Sequence, residues 1–74
     1  MKLTNLKKGD LAFIVDINLD KSIKIHLMEM GLLKKTKFKV IRKTKDRKMI
    51  TIFFRNYELS LDFSIMDKIG VRKW

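Results

Sequence analysis

The sequence predicts a mainly β protein, a small SH3-like barrel of about five short strands, with one α-helix after the first strand and a short helical turn before the last. Three observations predict this fold. Short segments of alternating apolar and polar residues recur along the chain, their connections are turn-like, and one longer segment has helical spacing. A chain of 74 residues buries little surface, so we expect a single domain over residues 1–74 with one compact core.

The first strand is predicted over Leu11–Ile17, and a turn at Gly9 and Asp10 starts it. Apolar residues occupy most positions on both faces of this segment. One face carries Leu11, Phe13, Val15 and Ile17, and the other carries Ala12, Ile14 and Asp16. We therefore expect both sides of the strand to be largely covered.

A short helix is predicted after this strand. Asp20 or Ser22 can cap its first turn by accepting hydrogen bonds from backbone N–H groups. The helix runs to about Met30, and Gly31 supplies the left-handed conformation that ends helices at low cost. Ile23, Leu27 and Met30 form one apolar stripe. A helix this short needs a sheet to pack against.

The second and third strands are predicted to form a hairpin. Strand Lys37–Lys43 alternates strictly, with Phe38 and Val40 facing the core and a basic opposite face. Residues 44–48 form an exposed loop, and residues 49–55 return as a strand rich in β-branched and aromatic types. The core face of that strand carries Ile50, Ile52 and Phe54.

The remaining residues predict a fourth strand, one helical turn and a fifth strand. Asn56 makes the turn into Tyr57–Asp62, where apolar and polar residues alternate. Ser64 caps a helical turn over residues 65–68. A last short strand with Ile69, Val71 and Trp74 closes the sheet and hides its edge.

The net charge of +10, with 18 Lys plus Arg against 8 Asp plus Glu, would attract nucleic acid, acidic proteins or anionic lipids. Many of these cations lie in one basic segment, at Lys34, Lys35, Lys37, Lys39, Lys43, Lys45, Arg47 and Lys48. A nucleic-acid surface is one interpretation of it. We favour a solvated face or a contact with an acidic protein, because lysine predominates and Phe38 faces the core rather than an incoming base.

The sequence contains no pattern for catalysis or for a resident cofactor. It has no cysteine and one histidine, His26, which we expect to face solvent on the helix. No glycine-rich loop could hold a nucleotide phosphate. We expect no enzymatic activity, no cofactor and no dedicated metal site. The start lacks the apolar core of a signal peptide and no segment is apolar enough to span a membrane, so we expect a soluble, cytoplasmic protein.

The ordered set of segments resembles the FeoA-like domains. These are small SH3-like barrels that accompany the bacterial ferrous-iron transporter FeoB or end metal-dependent repressors. The matching pieces are Leu3, Leu6 and Gly9 in a Leu-x-x-Leu-x-x-Gly motif, then residues 12–17, 27–32, 36–41 and 57–61, and the final Ile69, Gly70 and Val71. The chain departs from the family pattern in three places. Lys34-Lys35 stands where the family has Pro-Gly, residues 45–48 replace a Pro-x-Gly-Asp-Pro loop, and Asp62 replaces an arginine.

The resemblance implies a non-enzymatic cytoplasmic accessory protein of ferrous-iron transport. Its partner would be the cytosolic part of a FeoB-like membrane GTPase, which it modulates without holding iron itself, as a monomer or weak homo-oligomer. The alternatives are a basic barrel that binds nucleic acid or acts in metal-dependent transcription regulation, and an interaction module that has left iron transport. No nucleic acid is expected in the leading interpretation.

Met28 lies beside the helix stripe, so it is either core packing or part of a dock for a partner. We predict a partner-binding surface at the end of the helix and just beyond it. Its residues are Leu27, Met28, Met30, Leu32, Lys34 and Lys35.

Overall fold

A computed structural model, which describes residues 1–46 and 48–74, contains the predicted elements in the predicted order. They are β1 (Leu11–Ile17), α1 (Lys21–Glu29), β2 (Lys37–Lys43), β3 (Met49–Phe54), β4 (Tyr57–Asp62), α2 (Phe63–Met66) and β5 (Ile69–Lys73). A 3-10 turn at Leu3–Asn5 precedes β1. The strands form one antiparallel sheet, so the chain is mainly β and has the SH3-like architecture that the sequence predicts.

The strand order is β4-β3-β2-β1-β5, which leaves β4 and β5 at the two edges. The sequence predicts that β5 closes the sheet, and this prediction is wrong. Within the described residues, β5 pairs with β1 and not with β4. Instead α2 packs against β3, β4 and the 3-10 turn, and that turn contacts β5. The backbone N–H of Val71 donates to the carbonyl of Met1 at 2.7 Å, and Lys2 bridges to Gly70. The start of the chain thus covers the edge of β5.

The core lies inside the curve of the sheet and takes residues from every strand. Its members are Leu3, Leu6, Ala12, Ile14, Ile17, Leu27, Leu32, Phe38, Val40, Ile50, Ile52, Phe54, Leu61, Met66, Ile69 and Val71. The expected core faces of β2 and β3 are confirmed by this set.

The expectation that both faces of β1 are covered is wrong. Leu11 and Val15 are 41% and 43% exposed, whereas Ala12 and Ile14 are fully buried. The pairing with β5 shifts register after Ile14, as at a β-bulge, and this shift brings Ile17 into the core.

The cap of α2 is Asp62 rather than Ser64. The Oδ1 atom of Asp62 accepts hydrogen bonds from the Ser64 hydroxyl at 2.6 Å and from the Ile65 N–H at 3.1 Å. Both donors lower the pKa of the Asp62 carboxyl because they favour its charged form. The Ser64 hydroxyl has the larger effect and the Ile65 N–H the smaller. The helix consequently begins at Phe63, two residues before the predicted start.

Two hairpin turns connect the middle strands. Strand β3 ends at Phe54, because Arg55 and Asn56 have φ angles of 47° and 66° and form the turn into β4. In the β2–β3 turn, Asp46 accepts hydrogen bonds from the Thr44 hydroxyl at 2.6 Å and from the Lys48 N–H at 3.0 Å. Arg47, which belongs to the predicted loop and basic segment, lies outside the described residues.

Trp74 lies beyond the end of β5. Its indole N–H donates to the Ala12 carbonyl at 3.2 Å, and the Nζ of Lys37 lies 4.3 Å from its ring centroid. The Trp74 backbone N–H donates to the Leu11 carbonyl at 3.1 Å and so continues the pairing with β1, but the side chain is 58% exposed and does not enter the core.

Candidate functional site

Helix α1 ends in a Schellman motif. Gly31 has a φ of 94°, its N–H donates to the Met28 carbonyl, and the Leu32 N–H donates to the Leu27 carbonyl, both at 2.9 Å. This motif characteristically brings an apolar contact between the residues in the positions of Leu27 and Leu32, and both side chains are buried in the core. The predicted helix end at glycine is confirmed.

The same geometry divides the predicted partner-binding residues. Leu27 and Leu32 are 3% and 0% exposed, so neither offers a surface to a partner, and we withdraw them from the candidate site. Met28 is 47% exposed and Met30 is half-buried. Ile23, expected in the buried stripe, is also 37% exposed. Within α1, Leu27 is the residue that anchors the helix to the core.

A tight turn follows the helix. The Thr36 N–H donates to the Leu33 carbonyl at 3.1 Å, and Lys35 has a φ of 72°, as at the third position of a type II turn. The Thr36 hydroxyl accepts from the Leu33 N–H and donates to the Gly31 carbonyl. The Lys35 N–H donates to the Ile14 carbonyl at 2.7 Å. The turn is therefore tied both to the helix end and to β1.

An apolar groove lies between α1, the end of β1 and this turn. We call it the α1 groove, and it is lined by Ile17, Lys24, Met28, Leu33 and Lys34, with a volume of about 290 Å³. Ile17 is buried, whereas Met28 and Leu33 are partly exposed, so apolar surface remains in contact with water. The two lysines give the groove a positive rim.

The structure brings together two of the six predicted residues, Met28 and Lys34. Lys35 is exposed on the turn but does not line the groove. The sequence interpretation missed Ile17, Lys24 and Leu33. Lys24 precedes Met28 by four positions, which on a helix places both on one face, so this residue could have been found from spacing.

No feature of the described residues suggests chemistry in or near this groove. Residues 1–46 and 48–74 bring no three His, Cys, Asp or Glu side chains together as metal ligands would require. His26 is exposed on α1, as expected. The longest helix in that part of the chain has nine residues, and no helix there is long and apolar enough to cross a membrane.

A small SH3-like barrel with an apolar, positively rimmed groove has the features of a binding module. The family model of the FeoA domain matches residues 1–73, and the chain belongs to the FeoA domain family. This family is a non-enzymatic accessory domain, and membership supports involvement in iron transport. No match was found among curated proteins.

Solved structures with the same fold include two from this family. The FeoA protein from Chlorobium tepidum is 27% identical, with a TM-score of 0.91 over 99% of this chain and 70% of that chain. A FeoA-like protein from Clostridium acetobutylicum is 22% identical, with a TM-score of 0.83 over 99% and 85% of the two chains. The manganese-activated repressor ScaR, at 15% identity and a TM-score of 0.86, aligns with all of this chain over 35% of its own length and shows the fold alone.

Proposed function

We propose that this protein is a cytoplasmic, non-enzymatic accessory protein of ferrous-iron transport that binds the cytosolic part of a FeoB-like membrane GTPase and modulates it. The observation that carries this proposal is the FeoA domain match over residues 1–73, almost the whole chain. Iron passes through the partner in this proposal, so the accessory protein requires no metal ligands of its own.

We further propose that the partner docks in the α1 groove. Met28 and Leu33 expose apolar surface there, and burial of a methionine or leucine side chain stabilises an interface by about 1.5–3 kcal/mol when it is complete. Lys24 and Lys34 line the same groove in a chain of net charge +10. The matching partner segment therefore presents apolar side chains next to carboxylates, since charge complementarity sets the orientation of docking.

The support of the groove favours a preformed site. The Schellman motif after α1 and the turn tied to Ile14 both hold the backbone that carries Met28 and Lys34. A site whose backbone is already ordered loses less conformational entropy on binding. Met30 is half-buried beside this region, and we retain it only as a secondary contact.

Two variants on one helix test the groove. Met28 and Ile25 are 47% and 43% exposed on α1, but only Met28 lines the groove. We expect Met28→Lys to weaken binding to the purified cytosolic GTPase part at least about tenfold, because it places a charge against apolar partner surface. The matched control Ile25→Lys should change the affinity less than about twofold. Biolayer interferometry measures both affinities, and circular dichroism verifies that each variant folds.

The possible outcomes separate the function from the site. If neither variant changes a measurable affinity, the groove is not the dock although the partner is correct. If the folded wild-type protein does not bind the cytosolic part at all, the proposed partner is wrong.

A second candidate function is transcription-linked binding of nucleic acid, which the net charge of +10 favours. The ScaR likeness contributes only the fold. A duplex binder would lose about 0.9 log units of affinity per phosphate contact for each log unit of salt. No binding to duplex DNA at low salt in an electrophoretic mobility shift assay would remove this candidate.

A further inference from the structure

A second concave surface lies away from the α1 groove, where the residues before β1 meet the β2–β3 turn. We call it the cationic cleft and define it by Lys7, Lys8, Lys43, Thr44 and Lys45. Its volume is about 350 Å³. No Asp or Glu is among the described residues that line it, and it shares no lining residue with the α1 groove.

Lys43 is held in position inside this cleft. Its Nζ donates to the carbonyl oxygens of Thr4 and Leu6, at 2.8 and 2.7 Å. An ammonium group has three N–H donors, so one remains after these two bonds are made. Lys43 is only partly exposed, and its charge is therefore presented at a defined point rather than on a mobile side chain.

The two carboxylates nearest to the cleft in sequence, Asp10 and Asp46, lie beside it but form no ion pair with its lysines. Asp10 accepts from the Lys7 backbone N–H at 2.7 Å and pairs with Lys73 at 3.5 Å, outside the cleft. Asp46 accepts from Thr44 and Lys48. Among residues 1–46 and 48–74, none of the three ion pairs includes a lysine of the cleft. The four like charges therefore repel one another, and the nearby Asp10 carboxylate, which attracts the charge of Lys7, offsets them only in part.

A neighbouring depression extends the cleft. It shares Lys8, Lys43 and Thr44 with the cleft, and its other lining residues are Met49, Arg42, which pairs with Glu58, and Thr51 and Ser60, whose hydroxyls lie 2.8 Å apart. This second depression holds about 410 Å³. A ligand with two linked anionic groups could place one in each depression, with Lys8 and Lys43 between them.

We propose that the cationic cleft binds a phosphate-bearing anion with two linked phosphate groups. Lysine binds phosphate as a point charge, and several lysines around a held ammonium group favour a multivalent anion over chloride. This inference does not depend on the partner proposed for the α1 groove. The shared chemistry is the phosphate group, whether it comes from a free polyphosphate or from a lipid headgroup.

The test is an NMR titration of the ¹⁵N-labelled full chain with pyrophosphate, with sodium chloride at matched ionic strength as the comparison. We expect saturable shifts of the Lys8, Thr44 and Lys45 amides with pyrophosphate and not with chloride. Lys8→Gln should weaken pyrophosphate binding about tenfold, the effect of losing one charge-assisted hydrogen bond. The control Lys34→Gln, in the α1 groove, should leave it unchanged.

Shifts that follow ionic strength alone, or equal losses in the two variants, would overturn the proposal. Lys8 is chosen for the test instead of Lys43, because Lys43 also bonds to the backbone and its replacement could destabilise the fold. Lys8 is exposed, so its replacement should weaken binding without unfolding the protein. Melting temperatures equal to that of the wild-type protein would verify that both variants are folded.

Two further arms identify the source of the phosphate. Co-sedimentation with vesicles of cardiolipin, whose headgroup links two phosphates, and phosphatidylcholine, reversed by pyrophosphate, supports the proposal with a lipid headgroup as the ligand. Pyrophosphate binding without vesicle binding supports it with a free polyphosphate. A duplex oligonucleotide that shifts the cleft amides while pyrophosphate does not would overturn the proposal in favour of a nucleic-acid surface.

Discussion

The α1 groove and the cationic cleft are both concave, and they differ in what they offer a ligand. The groove presents apolar surface from Met28 and Leu33 with two lysines beside it. The cleft presents four lysines and hydroxyl groups. Binding in the groove should depend on buried area, and binding in the cleft should depend on charge. A net charge of +10 therefore does not describe one uniform surface.

The two regions also differ in how the fold supports them. The groove stands on backbone hydrogen bonds at the end of α1 and on buried leucines behind them. The cleft is held together by one side chain, Lys43, whose hydrogen bonds join β2 to the residues before β1. Substitutions at these supports should affect stability by different mechanisms.

The largest effect is expected at the support of the groove. Leu32 is fully buried, and Leu32→Ala should lower the free energy of unfolding by about 2–5 kcal/mol because it leaves a cavity in the core. The neighbouring Leu33 is 36% exposed, so Leu33→Ala should cost less than about 1.5 kcal/mol. Chemical denaturation measures both. Similar losses for the two leucines would show that the groove is not built on a buried Leu32.

A smaller effect is expected at the support of the cleft. Lys43→Met should lower the free energy of unfolding by about 1–3 kcal/mol, because the carbonyls of Thr4 and Leu6 lose a charged donor. The control Lys45→Met removes an exposed charge and should change stability by less than about 0.5 kcal/mol. Thermal melting compares the variants. A Lys43→Met protein as stable as the control would contradict the structural role of Lys43.

Salt should separate the two binding modes. Raising sodium chloride from about 0.1 M to about 1 M shortens the screening length from about 10 Å to about 3 Å. Pyrophosphate affinity should then fall more than about tenfold, whereas affinity for the cytosolic GTPase part should change less than about threefold. Calorimetric titration and biolayer interferometry give the two constants. Equal salt dependence would remove the distinction between the regions.

The smallest effect concerns the turn that borders the groove. Lys35 occupies a left-handed conformation that glycine adopts without strain, so Lys35→Gly should raise stability by about 0.5–1 kcal/mol. Lys34→Pro should act in the same direction, because proline is preorganised for the second position of such a turn. Lys34→Gly is the control and should lower stability, since Lys34 has no positive φ to relieve. Melting temperatures that rank the variants otherwise would contradict this turn geometry.

Much of the fold could be predicted from periodicity and glycine. Gly31 marks the end of α1, and Phe38 and Val40 show which face of β2 is buried. The β-bulge after Ile14 could not be predicted, because a register shift leaves no mark in a local alternation pattern. Asp62 could not be distinguished from Ser64 as the cap, because both residue types cap helices well. The distinction depends on where β4 ends, which the sequence does not show.

The candidate site was predictable only in part. Met28 and Lys34 follow from helix position and sequence neighbourhood, but the burial of Leu27 and Leu32 depends on the tertiary contact made by the Schellman motif. The alternation of residues 37–43 places Lys43 on the exposed, basic face of the predicted strand. Its bonds to Thr4 and Leu6 span more than thirty residues, so no local pattern indicates them.

The most direct test of the central claim is the footprint of the cytosolic GTPase part on this protein. Amide shifts of the ¹⁵N-labelled chain, recorded as the partner is added, report which surface becomes covered. We predict changes at Met28, Leu33 and Lys34, with Lys8, Thr44 and Lys45 unaffected. A footprint on the cationic cleft with the groove unchanged would contradict the account.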